Sequence, residues 1–321
     1  MNDPARTTRP APAPSRLQAW SELLRVSALF TVPGDALAGA AAASAPPNRH
    51  TALAVGTSLC LYEAGMALND WADREEDAVH RPHRPLPSGR IPPAAALTAA
   101  GALTAAGLAC ASRAGRPAAA LATALAGTVW AYNLGLKHTR AAPATMATAR
   151  CLDLLLGAAA TSAPGLRGAL APAAALGCHT WAVTAVSRRE TEGGATAAPL
   201  AALGTTLALG ALTGRPRPAP APPATSTAPA ASAEPAASLT PGQLARTALA
   251  AAYVATAARP LFHAVLNPSP PLTQRAVGGG IRAMIPLQAA LAARSGSPLT
   301  AAALTGLIPI ARKLARKVSP T

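Results

Sequence analysis

A series of apolar segments, each about twenty residues long, constrains this chain more than any other feature. They fall at roughly 23–44, 51–70, 91–112, 117–136, 143–162, 168–186, 196–213, 243–263 and 276–294, with a weaker one at 298–311. A bilayer core is crossed by about 20 predominantly apolar residues in a helix. Backbone groups in lipid must bond internally, so only helices or closed barrels can span it. These segments are too long and too continuous for barrel strands. The expected fold class is therefore all-α: a polytopic membrane protein with about nine (8–10) transmembrane helices in one bundle. The segment at 298–311 would be a tenth span or a surface helix. Alanine is abundant throughout, and by itself says little about function.

The formal net charge is +15, yet only 13% of residues are charged and 3% are aromatic. With no soluble basic domain and no aromatic stacking platform, a nucleic-acid partner is not expected. The positive charge sits mostly in the segments between spans. Arg6, Arg9 and Arg16 precede the first span, the 71–90 loop is arginine-rich, and Lys137/Arg140 and Arg188/Arg189 follow later spans. Counting spans puts these regions on one side, which the positive-inside rule assigns to the cytoplasm. The expected location is the cytoplasmic (inner) membrane, with the lipid bilayer as a partner. The expected organisation is a disordered tail at 1–17, helices one to seven with both polar loops at 18–213, a Pro/Ala-rich linker at 214–240, and C-terminal helices at 241–321. Proline fixes φ and removes a donor, so the linker should not pack as a helix. Cys60, Cys110, Cys151 and Cys178 form no CxxC pair, which argues against structural zinc or a disulfide framework.

Four polar constellations could carry chemistry. In Asn69–Ile91, NDWADREEDAVHRPHRPLPSGRI, the residues Asn69, Asp73 and Asp77 recur at i, i+4 and i+8, which places them on one helix face. Asp70 and Glu76 lie nearby, and Arg74, Arg81, His83, Arg84 and Arg90 follow. Acids clustered at a membrane boundary beside cations suggest Mg²⁺ holding a phosphate, since Mg²⁺ binds through one or two carboxylates plus substrate phosphate oxygens. The bland alternative is a solvated helix end. Tyr132 and Lys137, with His138 and Arg140, close the fourth span on the same side. A lysine there is either a topology anchor or a phosphate contact. Arg150 and Asp153 lie inside span five and are expected to pair at i, i+3, because isolated intramembrane charge is costly. Ser187–Gly194, SRRETEGG, mirrors the first loop after span six, and Glu190 and Glu192 are its acids. Within the spans, Tyr62 shares a face with Asn69, and Glu63 shares one with Asp70 and Asp77. His179 is expected to be a hydrogen-bonded interior histidine.

The pattern NDxxDxxxD followed by RPLPSGRI resembles the UbiA superfamily of intramembrane prenyltransferases. The resemblance covers most of residues 20–195 and is most specific at 69–91. It implies that Asn69, Asp73 and Asp77, with Asp70 as helper, bind an Mg²⁺–prenyl diphosphate. Tyr132 and Lys137 match the family's Tyr…Lys element, and Arg150 with Leu155–Gly157 matches its fifth-helix pattern. The family's second motif is usually rich in aspartate. Here Ser187 and Gly194 replace its first and last aspartates, leaving Glu190 as the best-retained acid. The SRxExxGG form, with PGDALAG early and SPT at the end, is similar to the EboC-like branch.

What the resemblance implies is prenyl transfer from an isoprenoid diphosphate to an unidentified acceptor. Metal would be held by Asn69, Asp73, Asp77 and Glu190. Diphosphate would be held by Lys137, Arg81 and Arg84, and substrate also by Asn69, Asp70, Tyr132 and Arg150. Asp73, Asp77, Glu190 and Lys137 are the expected catalytic set, with Mg²⁺ as cofactor. A non-catalytic lipid-diphosphate carrier is the alternative that an altered second motif raises. A CDP-alcohol phosphotransferase is disfavoured because its DGxxAR-type motif is absent. A transporter is disfavoured because transporter sites usually lie near the bilayer midplane, whereas this cluster lies at one end.

Overall fold

In a computed structural model, residues 15–25, 29, 32–215 and 240–318 are described, with side chains as far as residue 309. The described residues form twelve α-helices and no strand: α1 (Arg16–Leu23), α2 (Pro33–Ala42), α3 (Arg49–Ala72), α4 (Arg74–His80), α5 (Pro93–Ala114), α6 (Arg116–Leu134), α7 (Ala142–Thr161), α8 (Leu166–Ser187), α9 (Ala197–Gly214), α10 (Pro241–Leu266), α11 (Pro270–Arg294) and α12 (Pro298–Val318). Their boundaries follow local chemistry. Proline sits in the first turn of several, where its missing N–H costs nothing. Asn48 caps α3 and Thr240 caps α10 through reciprocal capping boxes. Among the described residues, six helices meet both length and hydropathy requirements for a membrane crossing: α3, α5, α8 (with the preceding turn from Ala163), α9, α10 and α11. α6 and α7, of 19 and 20 residues, run between the same two ends of the bundle.

The first expected span, 23–44, is not continuous. α1 ends at Leu23 and α2 begins only at Pro33. α1 lies across one end of the bundle, burying Ala19 and Leu23 in a cluster with Leu68, Leu86 and Ile91. The tail expected at 1–17 lies outside the described residues as far as 14, and α1 takes up 16 and 17. The linker expected at 214–240 also lies outside them, apart from its ends. Its flanks sit at the opposite end from α1, where Arg294 donates to the carbonyls of Leu212 (2.8 Å) and Arg215 (2.7 Å).

Helices pack closely because alanine and glycine line their contacts. Gly157 on α7 faces the backbone of Ala36 on α2, and Gly39 on α2 faces the carbonyl of Leu154 on α7. With no aqueous driving force between helices in lipid, such small residues let backbones approach and gain dispersion contacts. His179 on α8 is satisfied on both ring nitrogens, by the Tyr253 hydroxyl and the Gly280 carbonyl, each at 3.0 Å. It is the interior structural histidine expected from its position.

Candidate active site

The polar loops converge at one end of the bundle. Lys137, in the turn after α6, reaches Asp73 at 2.5 Å and the Asn69 side-chain oxygen at 3.3 Å. Arg188, just after α8, donates to the Thr139 carbonyl, and the Gly194 amide donates to Pro268 between α10 and α11 at 2.7 Å. The expected side-sharing of the 71–90, 137–142 and 187–195 loops is matched by direct contact between them.

The acids form two groups rather than one face. α3 ends at Ala72, Asp73 caps it, and α4 continues with the Asp77 amide bonded to the Asp73 carbonyl at 2.8 Å. Asn69 and Asp73 face Lys137. Asp70 and Asp77 face Arg84, at 3.5 and 2.7 Å. The reason is helical phase. At about 100° per residue, positions 70 and 77 differ by only about 20°, whereas 69 and 77 differ by about 80°. Arg81 adds a contact to Asp77 at 3.4 Å, and Arg25 one to Asp70 at 3.2 Å. Asp70 is 5% and Asp77 2% exposed, so both need those guanidinium partners. Arg74 turns away, its guanidinium stacked over Trp71 and bonded to Glu75.

Beneath this cluster lies a cavity of about 290 Å³ between α3, α6 and α7. Asn69, Tyr132, Asn133 and Arg25 line its mouth, and Ser58, Arg150 and Asp153 line its far part. Tyr62 lines it too, as its shared face with Asn69 requires.

One expected pairing changes. Arg150 pairs with Asp35 of α2 instead of Asp153, and Asp153 accepts from Ser58. The i, i+3 geometry allows the expected pair. Close approach of α2 at its glycine contact nevertheless brings a fully buried carboxylate to Arg150, and that carboxylate has greater need of a cation. Glu63 is buried with no hydrogen-bond partner among the described residues and does not line the cavity. Glu190 is half-buried in the turn after α8, its amide bonded to the Ser187 carbonyl at 3.1 Å. Among the described residues it makes no ion pair, and Glu192 pairs outward with Arg189 at 3.1 Å.

Arg25 and Asp35 were not singled out from the sequence. Arg25 lies near the start of the first expected span, 23–44, where it reads as topology. Asp35, a lone carboxylate inside an apolar run, carried the signal that could have found it.

As a metal site, the Asn69, Asp73 and Asp77 donor set is all oxygen, which suits Mg²⁺. Among the described residues no group of three or more His, Cys, Asp or Glu side chains is close enough to hold an ion alone. Asp73 faces Lys137 and Asp77 faces Arg84, so a shared ion would require both carboxylates to turn from these cations and substrate oxygens to complete its shell. Each donor carboxylate is also matched to a lysine or arginine that could turn to an incoming anion.

Residues 27–215 match the UbiA prenyltransferase family model. The chain belongs to that family. Among curated relatives, a digeranylgeranylglyceryl phosphate synthase of Methanopyrus kandleri is 33% identical over 128 residues, 38% of this chain and 45% of the relative. One from Methanothrix thermoacetophila is 55% identical over 49 residues, 15% and 18% of the two chains. The 33 kDa chain of bacteriochlorophyll synthase from Rhodobacter capsulatus is 35% identical over 95 residues, 28% and 29%. The chain thus spans less than half the length of these UbiA-family relatives. A UbiA homologue from Archaeoglobus fulgidus, solved with GPP and Mg²⁺, superposes with a TM-score of 0.57 at 16% identity, over 91% of this chain and 99% of that one. The apo UbiA homologue from Aeropyrum pernix K1 gives 0.57 at 16%, over 87% and 96%. At that identity the likeness establishes a UbiA fold, and it extends beyond the stretch that the family model matches.

Proposed function

We propose that this UbiA-family protein transfers a prenyl group from an isoprenoid diphosphate to an acceptor within the membrane, assisted by Mg²⁺. The observation that carries the reading is the paired cluster next to the cavity, which Arg25 and Asn69 line and so join to it. There the Arg25, Arg81, Arg84 and Lys137 side chains face the Asp70, Asp73 and Asp77 carboxylates. Cations exceed carboxylates by one. A diphosphate with one divalent ion is a net anion, which that surplus attracts. With two divalent ions it would be a net cation, which the same cluster repels. This favours a single tightly held metal, consistent with a second loop that has lost two aspartates. Glu190 then has the weaker role of a peripheral or second-metal ligand.

In this reading Asn69, Asp73 and Asp77 would hold Mg²⁺, which supplies charge neutralisation for the departing diphosphate. Lys137 releases Asp73 and takes a diphosphate oxygen. Arg84 and Arg81 do the same from the Asp77 side, while Asp70 keeps Arg25 and Arg84 aimed inward. The allylic C–O bond breaks with its electron pair going to the diphosphate, and these preset cations stabilise the charge as it develops. Tyr132 and Asn133 border the reacting end, and the apolar walls below exclude water from the carbocation. In this reading the membrane is the cytoplasmic one, with the motif loops on its cytoplasmic side, and the altered second loop supports membership of the EboC-like branch.

The test is binding of geranyl diphosphate to the purified chain with and without Mg²⁺. Asp73→Ala and Asp77→Ala should each abolish the Mg²⁺-dependent gain while the protein stays monodisperse in detergent. Parent-like binding by both would remove the site assignment. A second reading, a carrier that holds the lipid diphosphate without turning it over, is favoured by the outward-facing Glu192. Metal-dependent release of inorganic diphosphate separates the two.

A further inference from the structure

The cavity beneath the cluster is elongated along the helices. Asn69 and Ser58 of α3 both line it. Eleven residues of helix separate them, so Ser58 lies about 16 Å below Asn69. α7 runs away from the motif end, so Met146 lines the cavity nearer its mouth, and Arg150 and Asp153 line it deeper. Between the two polar ends is an apolar belt formed by Leu61, Met66, Leu125, Val129 and Met146.

The deep end is charged and firmly held. Arg150 pairs with Asp35 of α2, and the Gln288 side chain of α11 donates to the other Asp35 oxygen at 2.6 Å. Asp153 of α7 accepts from Ser58 of α3. Asp35 and Gln288 are 0% exposed. The cluster ties four helices together, so its members cannot swing aside without breaking buried polar contacts, which is costly.

A hydrocarbon tail gains free energy from every methylene it buries against the belt. At the deep end the sign reverses, because apolar carbon there would deprive charged groups of polar contacts. An extended chain advances about 1.2 Å per bond. An isoprene unit has four chain bonds, or about 5 Å, so about 16 Å holds three units.

We propose that the Ser58–Asp153 and Arg150–Asp35 floor is a depth stop that restricts the donor to allylic diphosphates of up to three isoprene units. This rests on the prenyl-transfer reading above and adds the donor class to it. The limit comes from the chemistry of the floor as well as from its position.

The experiment measures Mg²⁺-dependent binding of dimethylallyl, geranyl, farnesyl and geranylgeranyl diphosphates, and of inorganic diphosphate, to the full chain in detergent. Affinity should rise with each unit to farnesyl and fall at least tenfold at geranylgeranyl. Gly65→Leu adds a side chain about 6 Å below Asn69, where the space beyond glycine is bounded by Val129 at 3.1 Å. It should move the break to just after dimethylallyl. The triple change Asp35→Leu, Arg150→Met, Asp153→Leu should erase the break and admit geranylgeranyl diphosphate as well as farnesyl. If the parent binds geranylgeranyl at least as tightly as farnesyl, or if Gly65→Leu leaves the break where it was, the depth stop is wrong. In that case the tail leaves sideways and the charged floor faces the acceptor. If no prenyl diphosphate binds better than inorganic diphosphate, the prenyl-transfer reading itself fails, an outcome distinct from a misplaced limit.

Discussion

Lys137 joins the two halves of the site. It is 8% exposed, contacts both Asn69 and Asp73, and sits in a turn that packing of α6 against α3 holds in place. Hydrogen bonds to charged groups are worth about 1.5–3 kcal/mol. Lys137→Met should therefore weaken Mg²⁺-dependent geranyl diphosphate binding by roughly 10- to 100-fold, measured by calorimetry. Lys137→Arg should recover only part of the loss, because a planar fork cannot reproduce a point charge between an amide and a carboxylate. Parent-like affinity in the Met variant would return Lys137 to the status of a topology anchor. The position was legible in the sequence because a lysine beyond a span, on the same side as an acid cluster, had an evident partner. The grouping of the acids was less legible. The i, i+4, i+8 count draws attention to Asn69, Asp73 and Asp77, yet the slow drift of the helical phase aligns Asp77 with Asp70.

Among the helices, α2 against α7 is the contact on which the deep polar cluster depends. A Cβ at Gly157 would enter the backbone of Ala36, next to Asp35. Gly157→Val should force α2 away, separate Asp35 from Arg150, and lower stability by at least about 1–3 kcal/mol, the usual cost of overpacking. Gly127→Ala is the control, since nothing lies within 4 Å of the added carbon. The readout is apparent melting temperature in detergent, and equal melting of the two variants would show that the α2–α7 contact is not tight. Asp35→Ala should also be destabilising, by about 3–5 kcal/mol, because it leaves the Arg150 guanidinium without its carboxylate. The apolar helices from α3 onward could be read from hydropathy, because each apolar run is bounded by Pro, Gly or charge, whereas α4 (Arg74–His80) lies in the polar stretch read as a loop. The break between α1 and α2 could not. The 23–44 run is apolar enough to pass as one span, and the competing signal, Pro33 starting a new helix, is weak in a chain so rich in proline. The Arg150–Asp35 pair was hidden for a related reason, since its partners are 115 residues apart and only the packing of α2 brings them together.

For the molecule as a whole, alternation of helix direction fixes which loops share a side. The Asp73–Lys137, Arg188–Thr139 and Gly194–Pro268 contacts place the loops after α3, α6, α8 and α10 at one end. The Asn48–Thr161 contact at 3.1 Å, together with Arg294 bonded to Leu212 and Arg215, places the loops after α2 and α7, and the flank of the linker, at the other. The helix α5 leaves the motif end at Pro93, so Arg116 at the start of α6 belongs to the far end. Lys and Arg are denser at the motif end, and the orientation proposed above, which follows the positive-inside rule, puts that end in the cytoplasm. In a background lacking Cys60, Cys110, Cys151 and Cys178, His80→Cys should therefore react with a membrane-impermeant maleimide only when the cytoplasmic face is open, as in inverted vesicles. Arg116→Cys should react only from the outside of intact cells. Arg116 is the stringent choice, because it and Arg113 place two positive charges on the side that the rule leaves poor in them. If charge count alone governed insertion, that loop would compete for the cytoplasm. If burial of the acid cluster and its cavity governs, it is held outside. Labelling of both positions from the same side would overturn the topology, and with it the placement of the diphosphate site on the cytoplasmic side.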